Sequence, residues 1–149
     1  MSAKAPLLEM LGQTPLFGAL EEADRKAVAQ EMRETSFGNG QSIFARGDEG
    51  RDIYLVTTGR VRLSVLTAEG RELSFAHAEP GHVFGEIAVL DGGVRTADAT
   101  AVTKVSAYTL SKGALTRLIN ERAIVREAVI RFLCRRVREA DHQLEGIAL

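Results

Sequence analysis

Three residues in one short stretch of the chain could handle a phosphate and a sugar together: Glu86, Arg95 and Thr96. Glu86 follows Gly85 inside the apolar run Phe84-Gly85-Glu86-Ile87-Ala88-Val89-Leu90. Asp91-Gly92-Gly93-Val94 comes next, and Arg95, ten residues after Gly85, is followed by Thr96 and Ala97. A guanidinium offers a planar fork of donors that fits two phosphate oxygens. The threonine hydroxyl can add a donor. An ionised carboxylate only accepts, so Glu86 suits a sugar hydroxyl rather than the phosphate. Residues 87–90 make a single apolar turn, too short for a helix that stands alone. Gly92-Gly93 then lets the backbone take conformations closed to other residues. The spacing predicts a short helix with free N–H groups at its start, which favour an anion, and then a loop carrying a cation. The same residues also fit a purely structural turn with Arg95 in water.

The elements that would hold this stretch are mostly strands. From Thr35 onward, short apolar runs alternate with glycine turns at Gly38-Asn39-Gly40, Gly47-Asp48, Gly59, Glu69-Gly70 and Pro80-Gly81. Strands are predicted over 42–45, 52–58, 60–67, 71–78, 97–103 and 105–110. Val61, Leu63 and Val65 alternate with Arg62 and Ser64, the pattern of a half-buried strand. Regular strands with turn signals point to a sandwich or barrel rather than βαβ units. Residues 7–32 read as helical around a break at Pro15, with Glu21-Glu22 opening a second helix where acids suit the helix dipole. Ser111 is a good N-cap for a short helix through Ile119.

A long helix is predicted from about Arg122 to Ile147. Ile130, Leu133, Val137, Ala140, Leu144 and Ile147 step by 3, 4, 3, 4 and 3, a heptad seam. Val125, Val129, Phe132 and Arg136 form a second stripe on another face. A helix with two faces to bury needs two partners. The barrel is the expected partner of the early stripe, and a second copy of the helix that of the seam, so a homodimer is expected.

Composition narrows the class. At 149 residues the length fits one domain with a real core. An apolar share of 45% and a charged share of 26% are ordinary for a globular protein. The net charge of −1 argues against a general nucleic-acid surface, since such domains are usually basic. No apolar run approaches the roughly 20 residues that span a bilayer, so no membrane partner is expected. The N-terminus lacks a signal peptide's apolar core, and a cytoplasmic location follows. A single cysteine, Cys134, excludes an internal disulfide and a cysteine-ligated iron–sulfur cluster.

The stretch Phe84, Gly85, Glu86, Ala88, Leu90, Arg95, Thr96 and Ala97 resembles the phosphate-binding cassette of cyclic-nucleotide-binding domains, with Val94 where that family often has proline. The likeness extends over nearly the whole chain and is nearest to the Crp/Fnr (catabolite-activator-like) transcription regulators. It implies a mainly β fold with flanking helices: N-terminal helices over 1–34, a double-stranded β-helix (jelly-roll) over 35–110 with the cassette at 84–97, and C-terminal helices over 111–149 ending in a long dimerisation helix. It implies that Glu86 takes a ribose 2′-hydroxyl and that Arg95 and Thr96 take a cyclic phosphate, beside Gly85, Ile87, Ala88 and Ala97. Phe75 and Ala76 fall on the strand lining the base side, where plain core is an equal reading. Arg136 falls where a family arginine reaches the ligand. Ala140 and Asp141 replace two hydroxyl residues that contact adenine in the family's cyclic-AMP responders, which leaves the base open.

Other chemistry has little support in the sequence. His77, His82 and His142 lack zinc spacing, no nucleophile has an evident base, and no metal or catalytic residue is expected. Some relatives bind haem through a histidine near His77 and His82, but no second ligand is evident. Arg131, Arg135, Arg136 and Arg138 are interspersed with Glu127, Glu139, Asp141 and Glu145, as on a solvated face. The expected function is the effector-sensing half of a Crp/Fnr-type regulator, not an enzyme, with cyclic AMP as ligand and DNA contacted only through a following domain. The alternatives are a stand-alone module regulating a partner such as a kinase or channel, and a degenerate domain with no nucleotide.

Overall fold

The structure, a computed structural model, describes the backbone of residues 5–148 and the side chains of residues 6–142. It contains two compact units, residues 30–116 and residues 1–29 with 117–149.

The 30–116 unit is built on two four-stranded sheets. β1 (Arg33–Phe37), β8 (Val105–Ser111), β3 (Asp52–Thr58) and β6 (Val83–Phe84) form one, in that order. β2 (Ser42–Phe44), β7 (Asp98–Ala101), β4 (Val61–Leu66) and β5 (Glu72–Ala78) form the other. Every pairing is antiparallel. The inner faces meet in a core of Tyr54, Val56, Val61, Ala78, Phe84, Ala99, Ala101, Val105 and Ala107. Phe37, Ile43, Phe44 and Leu63 pack against it. Small alanines on β7 face large aromatics on β3 and β6, the interdigitation that lets two sheets close to native density. This is the expected jelly-roll.

Two strands escape the sequence pattern. β1 takes Arg33 and Glu34, which the expected boundary at residue 34 leaves with the N-terminal helices. Its residues Arg-Glu-Thr-Ser-Phe show no apolar period, and its pairing comes from β8, Arg33 opposite Thr109 through Phe37 opposite Val105. β6 has two residues, too few to carry a period. The alternation expected along β4 also fails halfway. The β4–β5 register shifts between Leu63 and Ser64, and Ser64 is buried while Leu63 and Val65 on either side are only half-buried. The residue skipped in the ladder is Phe75 on β5, and an irregularity of this kind re-aims side chains locally.

In the other unit, α1 (Ala5–Gly12) and α2 (Glu22–Glu31) flank a turn around Pro15, the break expected from the sequence, and α2 opens at Glu22 as expected. Thr14 shapes that turn: its hydroxyl donates to the Leu11 carbonyl at 2.8 Å and accepts from the Phe17 N–H at 3.0 Å. α4 (Lys112–Glu121) begins after Ser111, whose Oγ accepts from the Ala114 N–H at 3.1 Å, the N-cap read from the sequence. α5 (Ala123–Ala148) is the long helix. Arg122, just before it, pairs with Asp24 of α2 at 2.9 Å, and Arg135 donates to the Pro15 carbonyl. Val125, Val129 and Phe132 of the early stripe are buried. Arg136 is exposed, with its guanidinium 5.8 Å from the Phe132 ring. On the seam, Ile130 and Val137 are 55% and 61% exposed, Leu133 is half-buried and Ala140 is exposed. The side chains of Leu144 and Ile147 lie outside the described residues. No helix among the described residues is long and apolar enough to cross a membrane.

Candidate functional site

α3 (Glu86–Asp91) is the predicted short helix. Gly85 stands at its N-cap with φ +81°, and no side chain caps the helix there. Glycine is needed at 85 for two reasons. The left-handed conformation strains any residue with a Cβ. A Cβ at this position would also lie 2.8 Å from Arg95 Nη1. At the far end Gly92, again left-handed, closes the helix, and the Gly93 N–H donates to Asp91 Oδ1 at 2.7 Å.

The chain then returns along the 47–49 turn, which pins the backbone of Arg95 from both sides. The Arg95 N–H donates to the Asp48 carbonyl at 2.7 Å, and the Gly47 N–H donates to the Arg95 carbonyl at 2.8 Å. Val94 and Glu49 form an isolated bridge. So anchored, the side chain of Arg95 turns inward and is 4% exposed. Nη1 donates to the Gly85 carbonyl and Nη2 to the Asp52 carbonyl, each at 2.6 Å. Cζ sits 4.0 Å from the centroid of the Phe44 ring and 5.9 Å from that of Tyr54. Nε is buried without a hydrogen-bond partner. Among the described residues Arg95 makes no ion pair. Burial lowers its pKa from the ordinary guanidinium value, and the fields of Tyr54, Asp52, Asp48 and Glu86 oppose that shift. The arrangement is a desolvated cation held in a fixed plane, lacking an anion in contact. Charge-assisted bonds to such a group are the strong ones.

The other expected residues of the stretch fall around it. Glu86 is 5% exposed in the first turn of α3. Ile87 is half-buried and Ala88 buried, and Ala88 is pressed so close to the 50 position that a Cβ there would lie 2.5 Å from its own. Thr96 is exposed and Ala97 buried. Phe75 lies on β5 and is 57% exposed, so it is not core. Arg136, Ala140 and Asp141 belong to the other compact unit, on α5, and are exposed.

The sequence pattern missed residues that surround the guanidinium. Phe44, Asp52 and Tyr54 line an open cavity of about 360 Å³ together with Arg95, Asp48 and Arg51. That volume is at the lower end of ligand pockets, about 300–1,000 Å³. Tyr54 is buried, stacks on Phe84 at 5.0 Å, and has its pKa raised by burial and by Asp52, with Arg95 opposing. No local signal marks Phe44 or Tyr54, since both read as ordinary strand aromatics. His82 is occupied in a turn, its Nδ1 accepting from the Glu79 N–H at 3.0 Å. No group of three or more His, Cys, Asp or Glu among the described residues is placed to hold a metal ion.

The chain is similar to several known proteins. Over 139 residues the chain is 30% identical to the "CRP-like cAMP-activated global transcriptional regulator" of Mycobacterium tuberculosis, covering 93% of this chain and 62% of that protein. Over 109 residues it is 29% identical to the "cAMP-dependent protein kinase regulatory subunit" of Blastocladiella emersonii, covering 73% of this chain and 27% of that protein. The chain thus spans about three fifths of the first relative's length and about a quarter of the second's. Among solved structures, the N-terminal domain of a transcriptional regulator from Streptomyces coelicolor superposes with a TM-score of 0.81 at 34% identity, covering 91% of this chain and 94% of that one. The family description "Cyclic nucleotide-binding domain" matches residues 34–122, the span that holds both sheets and the cassette. The chain belongs to the cyclic nucleotide-binding domain family.

Proposed function

We propose that this chain is the effector-sensing domain of a Crp/Fnr-type transcription regulator and that its effector is a cyclic nucleotide, with cyclic AMP the expected one. In this reading Arg95 and Thr96 take the cyclic phosphate and Glu86 takes the ribose 2′-hydroxyl, with Gly85, Ile87, Ala88 and Ala97 shaping the ground around them. Phe75, and Arg136, Ala140 and Asp141 on α5, are assigned to the base side by family resemblance. The chain acts by binding, not by catalysis.

The observation that carries the reading is the unpaired charge of Arg95. Its guanidinium is buried, its two terminal nitrogens rest on neutral carbonyls, and its Nε has no partner. A buried charge without a counter-charge is costly. A cyclic phosphate carries one negative charge and two exocyclic oxygens that can accept from a guanidinium. That relatives are named as cAMP-activated and cAMP-dependent regulators supports the same ligand class.

Transmission is assigned to α5. Two copies meet along Ile130, Leu133, Val137, Ala140, Leu144 and Ile147, and the exposure of Ile130 and Val137 in the single chain favours a partner there. The ligand biases a two-state element made of the cassette and this helix, in proportion to its differential affinity for the two states. DNA contact belongs to a domain beyond these residues. Calorimetric titration with cyclic AMP and cyclic GMP tests the assignment: the wild-type chain binds, and Arg95→Ala does not. Equal binding by both would overturn it. The likeness to a kinase regulatory subunit favours a second reading, a module that regulates a partner protein. Sedimentation separates the two, since the first requires a dimer through α5 and the second does not.

A further inference from the structure

We propose that Phe44 is a positioning residue for Arg95 and that its ring, by setting the plane of the guanidinium, sets the affinity for the cyclic phosphate. This rests on the reading of Arg95 as the phosphate's partner. The bonds from Nη1 to the Gly85 carbonyl and from Nη2 to the Asp52 carbonyl fix two points of a flat group. Two points define a line, and the plane can still turn about that line. The third constraint is the face of Phe44, with Cζ 4.0 Å from its centroid. Tyr54, at 5.9 Å, stands at the outer limit of such contacts. Nε has no partner of its own, so the plane alone decides where its N–H points.

Phe44 is itself held in place. It tilts against Tyr54 at 5.9 Å and Phe84 at 6.0 Å, and those two rings stack on each other. The pairing of β2 with β7 shifts register between Ser42 and Phe44, an irregularity of the kind that re-aims a side chain. The electrostatics agree with the geometry. A guanidinium stripped of water regains part of its lost solvation from the negative face of an aromatic ring. Leucine would fill the same space with neither a plane to stack on nor a quadrupole.

The test combines calorimetry with cyclic AMP and the ¹H–¹⁵N spectrum of arginine Nε–H groups in the ligand-free protein, with the Arg95 signal assigned by its loss in Arg95→Lys. Phe44→Leu should weaken cyclic AMP binding about tenfold, and Phe44→Tyr should stay within about twofold of wild type. The Arg95 Nε–H signal should leave its ring-shifted position in Phe44→Leu and keep it in Phe44→Tyr. A merely structural role would not move that signal selectively. Should Phe44→Leu fail to fold, Phe44→Met replaces it in both measurements. Wild-type affinity in a folded Phe44→Leu, an unmoved Nε–H signal, or a folded Phe44→Tyr as weak as Phe44→Leu would overturn the proposal alone. A wild-type chain that binds no cyclic AMP would overturn the phosphate assignment beneath it, and the proposal with it.

Discussion

Arg95 is 4% exposed and its guanidinium is constrained by two carbonyls and a ring face, whereas Phe75, assigned to the base side of the same site, is 57% exposed. Their surroundings explain the contrast. Arg95 is pinned through its backbone to the 47–48 turn and through its side chain to Gly85 and Asp52, all within one compact unit. Phe75 lies on β5, at the free end of its sheet. The pairing there jumps from Leu63 opposite Ala76 to Ser64 opposite Ser74, leaving Phe75 without a partner across the ladder. One half of the proposed site is fixed by contacts within the fold, and Phe75 on the other is exposed. Preorganised contacts give affinity cheaply because little freedom remains to be lost. Affinity should therefore sit with the phosphate half and discrimination between bases with the other.

The largest break in this comparison is Arg95→Ala. Removing one partner of a desolvated, charge-assisted contact costs ~2–5 kcal/mol, or roughly thirty- to several-thousand-fold in affinity. Calorimetry should register no binding at ordinary concentrations, while the circular dichroism spectrum stays that of the wild type. A second large effect tests whether α5 divides as the proposed site does, between a packed face and an exposed one. Val125, Val129 and Phe132 are buried within the single chain, but Ile130 and Val137 are not. Ile130→Asp with Val137→Asp puts two charges per chain into the proposed seam, where unpaired burial is costly. Sedimentation should then report monomers at concentrations where the wild type is a dimer. A wild type already monomeric at micromolar concentration would remove the seam from the mechanism.

How much of this was legible in the sequence depends on how local the cause is. The short helix, its glycine stop and the arginine beyond it were readable because each follows from residues within ten positions. Ser111 was readable as a cap for the same reason. β1 was not, because Arg33–Phe37 has no apolar period and becomes a strand only by pairing with β8, about seventy residues away. The burial of Ser64 was hidden because the register shift belongs to two strands and is written in neither alone. At the site, spacing identified Arg95 as the cation but pictured its fork as open to a ligand. The fork in fact rests on Gly85 and Asp52, and its plane on Phe44, contacts that cross 10, 43 and 51 positions of chain.

Gly85→Ala should sharpen the comparison at intermediate cost. Alanine in the left-handed conformation loses about 1–2 kcal/mol of stability. Its methyl would also stand 2.8 Å from Arg95 Nη1 and push the guanidinium from its slot. The expected outcome is a lower denaturation midpoint together with a loss of about tenfold in cyclic AMP affinity. Lowered stability with unchanged affinity would show that the position of the guanidinium is less tightly specified than its contacts imply.

The smallest effect should come from Phe75→Ala, and it bears most directly on the half left open. Because the side chain is 57% exposed and lacks a cross-strand partner, the folded chain should lose little by its removal, within about 0.5 kcal/mol as for other surface positions. If the ring covers a base only when ligand is bound, the apolar area it then buries is a fraction of a whole aromatic side chain. Partial burial of that kind contributes about 0.5–1 kcal/mol, a two- to fivefold change in affinity. The change should also differ between cyclic AMP and cyclic GMP, since a contact with the base, unlike one with the phosphate, meets different groups in the two. Titrating both ligands into wild type and Phe75→Ala reads this as a ratio of ratios, in which errors common to both proteins cancel. An equal loss for the two nucleotides would place Phe75 outside base recognition and leave discrimination to residues elsewhere. A stability loss of several kcal/mol would instead mean that the ring is packed after all, and that the two halves of the site are built alike.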